Sequence, residues 1–575
     1  MLSAARLRVS ARLAQRGQSG FALVWMSLTL TLMLLFAGFA VDMSNWWLQA
    51  ERIQIAADAG AHAGVAFLPA DLTNATSKAR TETTRNGFTS GDSRNSTVTV
   101  TQEPNPNRLR VKVTSDVPTF FLKLVGMNKV RLTRQAVGEY VAPVPMGSPQ
   151  NKLGNDPEGT DAGTQLWVNI NGPQTGKQQG DRFQSKLCNG SPREYGCSGT
   201  ASTEFSDDGY FFGMEVLSPV SGQDLSFQVF DAAWVNVGSG CTSNMPTSTQ
   251  ISGGSGFTAL TTKFADAATR YGSTTSYCTG DQGWGAKNVQ TTFIFREPDE
   301  TPWTNTDNPI INTSVCKSVT VPAYTPSSSR WVYDTLMNAT TGSLNATDGT
   351  ISFAESWRRF STFCSIPAAS VRTGTYVIQV RTNATSAAPT VASSSVTTEG
   401  SNHMAFRAGF GASGLSAVSG ANVTISALGR LPIYANGASA DSQFYMARVM
   451  PYDAGRTLRI NLYDMGEANS AGTLQILPPA EYASTFSGCS FSRDDNAALN
   501  VTASTCTLNN VLASAGYNGR LLTIDVPIPT NYTCSTSSQT GCWIKIRANF
   551  PSATSVTDAT TWSASILGNP IRIVE

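Results

Sequence analysis

Few side chains in this sequence are equipped for acid–base or nucleophilic chemistry. There are two histidines, His62 and His403, far apart in the chain. Any mechanism or metal site that needs a histidine pair is therefore excluded. A Ser-His-Asp triad would have to use His403, which sits in Ser401–Asn402–His403–Met404–Ala405–Phe406, a run that reads as a strand. The expectation is a protein that is not an enzyme. Carboxylates offer one alternative chemistry, a calcium site, which takes six to eight oxygens. Asp231 and Asp464 recur at equivalent places in two similar segments, and Asp299 and Asp307 sit in an acidic loop. None falls in the spaced loop of an EF-hand, and an Asx-turn closing the strand is the simpler account of the first two. The cofactor expectation is none, with structural calcium at those four aspartates as the one exception. Trp303, in Pro302–Trp303–Thr304–Asn305, is the tryptophan best placed in a loop to meet a sugar.

Cysteine gives a clearer signal. Cys188, Cys197, Cys241, Cys278, Cys316, Cys364, Cys489, Cys506, Cys534 and Cys542 make an even set, and none lies in residues 1–187. No Cys-x-x-Cys occurs, which counts against zinc and thioredoxin-type redox chemistry. The set reads as disulfides in an exported region. Neighbour pairing, 188–197, 241–278, 316–364, 489–506 and 534–542, is the simplest of the many connectivities that sequence leaves open. Composition agrees: 14% of residues are charged, and Lys+Arg 41 balances Asp+Glu 40. No basic excess marks a nucleic-acid partner.

Export needs a signal, and the N-terminus carries one. Residues 1–19 hold Arg6, Arg8, Arg12 and Arg16 and no acid. Residues 21–41 then run for 21 residues without a charge, about 31 Å as a helix, the thickness of a bilayer core. By the positive-inside rule the arginines stay in the cytoplasm and the rest of the chain lies outside. Gly38 and Ala40 would also suit a cleaved signal peptide, but the run is longer than an ordinary h-region. The lipid bilayer is thus the first expected partner. Beyond it, Asp42 to Leu68 is alanine-rich and free of proline. It reads as a continuing helix, with Leu48, Arg52, Ile55, Ala59 and Ala63 as the stripe for a neighbouring helix.

Arg16–Gly17, the apolar span, Asp42, Trp46 and Trp47, and Ile53–Gln54–Ile55–Ala56–Ala57–Asp58–Ala59 follow one another in an order that resembles the N-terminal module of TadE/TadG-like Flp pilus-assembly proteins. Val117–Pro118–Thr119–Phe120–Phe121, Leu124–Val125–Gly126 and Val130 to Val141 resemble the ending of the same proteins. The resemblance implies a membrane-anchored component of a tight-adherence (type IVc) pilus system, with Gly17, Asp42, Gln54, Ala57 and Asp58 as its motif residues and other pilus proteins as partners. If Gly20 were a prepilin cleavage site, the fifth mature residue would be Trp25 and not the usual Glu. The resemblance therefore implies a stable anchor and not a processed major pilin. The competing reading is a surface adhesin that borrows the anchor and binds a glycan or protein.

The remaining pattern predicts a mainly β, α+β chain. A cytoplasmic head (1–19) and the membrane and membrane-proximal helix (20–69) precede a small α+β subdomain (70–142), with a helix near 71–88 and a hairpin of 96–102 with 108–114. Residues 143–165, rich in Pro, Gly, Asn and Asp, read as a linker. Residues 210–231 and 443–464 align without a gap at an offset of 233, and residues 377–383 resemble 543–549. This predicts two tandem disulfide-bearing β-sandwich-like domains, 166–412 and 413–575, sharing one fold, with Asp231 equivalent to Asp464 and Arg381 to Arg547.

Overall fold

The apolar run passes into the alanine-rich stretch without a proline or glycine pair to break it, so one helix, α1, spans Ser3–Val65. The computed structural model describes residues 3–68, 72–104, 107–140, 144–155, 166–189, 194–231, 291–299, 305–316, 318–321, 360–382, 400–412, 418–437, 441–495, 500–512, 516–537, 539–552, 556–567 and 571–574, with side chains from residue 21 onward. The chain divides into two compact units, Met1–Val141 with Asn569–Glu575, and Ala142–Gly568.

In the first unit α2 (Leu72–Arg85) follows α1. Strands β1 (Thr97–Gln102), β2 (Arg108–Pro118) and β3 (Lys129–Tyr140) then form an antiparallel sheet. Alternation on β2 buries Leu109, Val111 and Val113, and these cover α1. The fourth strand, β27 (Ile571–Ile573), pairs with β3 through Ile571↔Tyr140 and Ile573↔Gly138. Residues 571–573, expected in the second β-domain, therefore belong to this sheet. The whole of the second unit is an insertion between β3 and β27.

The second unit is built on a sheet of eleven described strands. Across it lie β13 (Ser361–Ile366), β10 (Asp224–Asp231), β15 (Ser401–Gly411), β6 (Leu166–Asn171), β17 (Leu431–Gly437), β26 (Val556–Ile566), β19 (Thr457–Tyr463), β24 (Leu521–Pro527), β21 (Cys489–Arg493) and β22 (Val501–Ala503), with β5 (Lys152–Leu153) beside β15. One half is covered by β12 (Val319–Val321), β11 (Thr291–Arg296), β14 (Gly374–Thr382), β9 (Tyr210–Val216), β16 (Val423–Leu428) and β4 (Pro145–Met146). The other is covered by β18 (Asp441–Arg448), β25 (Trp543–Asn549), β20 (Gly472–Leu477) and β23 (Thr507–Val511). A small ribbon, β7 (Cys197–Ser198) with β8 (Ala201–Ser202), lies between β6 and β9 in sequence. Aromatic contacts join the layers: Phe212 to Phe406 at 4.8 Å and Phe227 to Phe295 at 5.5 Å in one half, Phe444 to Trp562 at 5.2 Å in the other.

The eleven-stranded sheet reads nearly the same from both ends. Leu225 pairs with Phe410 and Ile366, while Leu458 pairs with Ile566 and Val526. Val168 pairs with Met404, and Ile433 with Thr560. Val168 and Ile433, equivalent by these registers, pair with each other. The strand register is thus related by a local two-fold axis through the β6–β17 contact, and one sheet runs across the division expected at 412. Two boundaries shift as a result. Strand β16 lies beyond the division expected at 412 yet pairs with β9, which lies before it. Residues 143–165, expected as a linker, contribute β4, paired with β16, and β5, paired with β15.

Four neighbour pairings of cysteine are present: Cys188–Cys197, Cys316–Cys364, Cys489–Cys506 and Cys534–Cys542. Cys241 and Cys278 lie outside the described residues. Cys364 lies on β13 at one edge of the long sheet, and Cys489 lies on β21, beside the strand β22 that forms the other edge. Covalent fastening at both edges is one way to keep exposed edges from pairing with other chains.

Candidate functional site

Between Phe21 and Val41 every residue except Gly38 is solvent-exposed on α1. The hydroxyls in this stretch are satisfied within the helix: Ser27 donates to Val24 O, Thr29 to Trp25 O and Thr31 to Ser27 O, at 2.7–2.8 Å. Internal bonding of this kind lets a polar residue sit in an apolar environment. Phe21–Val65 contains a stretch long and apolar enough to cross a membrane.

At the end of the apolar run one face of α1 is covered. Gly38, Asp42 and Asn45 stand at i, i+4 and i+7, one above another on the helix. The connection between β2 and β3 docks on them. Asp42 is fully buried. Its Oδ1 accepts the N–H of Phe120 at 2.6 Å, and its Oδ2 accepts those of Phe121 at 3.0 Å and Leu122 at 2.7 Å. One turn on, Asn45 Nδ2 donates to Pro118 O at 3.2 Å. One turn back, the Phe121 ring lies against Gly38, where a Cβ would come within 2.7 Å of Cγ. Leu122 begins the short 3-10 helix Leu122–Val125, so Asp42 caps that helix from a distant part of the chain. A carboxylate with two oxygens is suited to gather three convergent donors.

Farther along α1, Gln54 Nε2 donates to Asp58 Oδ1 at 2.8 Å and to Gln135 O of β3 at 3.1 Å. Ala57 is fully buried. Gly17 falls where side chains lie outside the description. The buried stripe of α1 is Ile53, Ala56, Ala57, Gly60, Ala61 and Gly64. At Gly64 a Cβ would meet Ala75 O at 2.6 Å, so the small residues admit α2 of the same chain. The expected stripe, Leu48, Arg52, Ile55, Ala59 and Ala63, is the wrong face: Leu48, Arg52 and Ile55 are exposed. The sequence periodicity was the same on both faces; the sheet and α2 select the one with smaller side chains.

The second unit buries several charged groups. Lys177 is fully buried and donates to Tyr195 O at 2.9 Å and Glu204 Oε2 at 2.5 Å, while Arg182 reaches Glu204 Oε1 at 2.5 Å. Burial opposes ionisation of Glu204, but bonds from Arg182 and Lys177 outweigh it and hold the carboxylate below its usual range. Asp231 closes β10 and Asp464 directly follows β19, and both are buried. Burial pushes Asp231 up to about 7, against a bond from Asn402. Asp464 has a left-handed backbone, φ 60°, and accepts the N–H of Gly519 at 2.6 Å. Burial, then the charges of Glu467 and Asp558, raise it well above the carboxylate range. Burial raises Glu467 to about 8, with Asp558 adding to it, and Asp558 to about 7. Sequence reasoning missed Glu467 and Asp558, which have no motif around them.

The four calcium candidates are not brought together. Among the described residues the one group of three or more close potential ligands is Cys188, Glu194 and Cys197, and its cysteines are joined to each other. His403 lies buried on β15 with its ring 4.3 Å from that of Tyr434. Trp303 lies outside the described residues. Gly38, Asn45 and Phe121 were also missed; the available signal was a glycine one turn before Asp42 in a run of bulky side chains.

Residues 20–66 match the family model described as putative Flp pilus-assembly TadE/G-like. No curated protein and no solved structure matches the chain. The matched segment contains the whole apolar run, Gly38, Asp42 and Asn45, and the Gln54–Asp58 pair. It ends where α1 ends.

Proposed function

We propose that this chain is a membrane-anchored accessory or minor structural component of a tight-adherence (Flp, type IVc) pilus assembly system. The observation that carries the reading is the coincidence of the family match with α1: the matched residues are those that form the exposed apolar run and hold the β2–β3 connection through Asp42. The N-terminus is cytoplasmic and the bulk of the chain is outside. The arginine-rich head and the disulfides of the second unit support this orientation. The chain acts by structure and not by catalysis, and its partners are the bilayer and other pilus proteins.

Protease added to spheroplasts or intact cells is expected to remove Ala142–Gly568 and leave a small membrane-bound fragment; full protection inside the cytoplasm would overturn the orientation. A clean deletion strain is expected to lose or shorten its pili, with recovery on complementation. Unchanged pili would overturn the assembly role. Unchanged pili with lost attachment to surfaces would favour the adhesin reading, with a glycan or protein ligand on the β unit.

A further inference from the structure

The connection between β2 and β3, residues 119–127, contains five large apolar side chains that the fold does not bury. Phe120, Phe121, Met127, Leu124 and Val125 are all exposed, the last two by 79% and 71%. The 3-10 helix Leu122–Val125 has no buried residue. Apart from Phe121, whose ring packs on Gly38, folding of this unit gives no reason for these residues to be apolar, because apolar side chains in a soluble loop gain nothing until something covers them.

Their position identifies what covers them. The tip is fixed to α1 by three N–H bonds to Asp42 and by the Phe121–Gly38 contact. Gly38 lies inside the apolar run, about 4.5 Å along the helix axis before Val41 at 1.5 Å per residue. The exposed loop is thus continuous with the exposed surface of the spanning stretch. Lys123 is the one charged residue between Val117 and Lys129. It is exposed and has a stem long enough to carry its ammonium to the headgroups while the neighbouring side chains sit deeper. Trp47, just past Asp42 on α1, is also exposed, where an interfacial aromatic is expected.

We propose that residues 119–127 insert into the outer leaflet of the bilayer beside α1, as a second point of membrane attachment that fixes the rotation and tilt of the first unit. The inference rests on the membrane-spanning reading of α1.

The test uses the full chain in nanodiscs of phosphatidylethanolamine and phosphatidylglycerol, with a nitroxide at Leu124→Cys and, in parallel chains, at Leu32→Cys in the apolar run and Val501→Cys on β22. Oxygen partitions into lipid and nickel-EDDA into water. The ratio of oxygen to nickel accessibility should be high at 32 and 124 and low at 501. A high ratio at 32 with a low one at 124 overturns the insertion and leaves the spanning helix standing. Shielding of 124 from both reagents overturns it too, by showing a protein surface over the loop. A low ratio at 32 removes the spanning reading and the insertion together. With Leu124→Asp and Val125→Asp, which change exposed positions only, a label at Met127→Cys should shift toward the ratio seen at 501; an unchanged ratio there counts against insertion.

Discussion

Replacing Asp42 with alanine should release the β2–β3 tip from α1. Three backbone donors, of Phe120, Phe121 and Leu122, converge on its two oxygens at 2.6–3.0 Å, and the side chain is fully buried. Each bond to an ionised acceptor contributes about 1.5–3 kcal/mol, and the three break together, so they do not sum. Water and lipid headgroups at the membrane surface reach part of the freed loop and recover some of the loss. A net cost of about 3 kcal/mol for local opening follows, which at about 1.4 kcal/mol per decade is roughly a 100-fold fall in protection. Hydrogen exchange of the Phe120, Phe121 and Leu122 amides reads this directly, because local opening is measured where it occurs. Asp42→Asn keeps one acceptor and turns an amide group toward the other donors, so its loss should be smaller than that of alanine. Protection unchanged to within about threefold in the alanine variant, well below the decade that 1.4 kcal/mol would produce, would refute the capping role.

Gly64→Ala places a methyl 2.6 Å from Ala75 O, and it should weaken exchange protection of α2 and β2 by about 1–3 kcal/mol, whereas Ile55→Ala on the exposed face should leave both unchanged. The second unit should melt at a higher temperature near pH 5 than near pH 8. Asp231 and Asp558 rise to about 7 and Glu467 to about 8, so the folded state holds protons that the unfolded chain releases near 4. Their contribution is complete below about 4 and is lost as pH climbs to about 8, at most about 4 kcal/mol for each three-unit shift. Asp231→Asn, which cannot ionise, should flatten that dependence, and a melt indifferent to pH between 5 and 8 would contradict the assigned burial. Removing the Cys489–Cys506 bridge by Cys489→Ser with Cys506→Ser, a separation of 17 residues, should cost about 3 kcal/mol in thermal or denaturant unfolding.

Local signals in the sequence carried much of this architecture. The charge-free run announced the helix, and alternation announced the β1–β2 hairpin and strands of the second unit. Neighbour spacing anticipated the four described disulfides. Asp42 was marked by its motif, but its partners lie 78 to 80 residues away, and no periodicity connects a helix end to a loop at that distance. The stripe on α1 was misplaced for a related reason. Leu48, Arg52, Ile55, Ala59 and Ala63 follow a helical spacing, but so does the neighbouring face, and the actual contact is built from Gly60, Ala61 and Gly64. Strand β16 follows the division expected at 412 but pairs with β9, and a partner so distant in the chain leaves no local mark. The three residues of β27 are too short a run to name their partner.

That last strand alters how the molecule is composed. Tyr140 and Ile571 are direct antiparallel partners, so the chain leaves the first unit and rejoins it about one strand spacing away, near 5 Å. A host sheet interrupted at so narrow a gap is indifferent to what fills it. Whatever lies between can lengthen, duplicate about an internal axis or be exchanged for an unrelated fold, provided its own two ends stay close together. The first unit and the inserted one are therefore free to evolve on separate schedules: the constraint on one is the geometry of a helix and a loop, and on the other the distance between two ends.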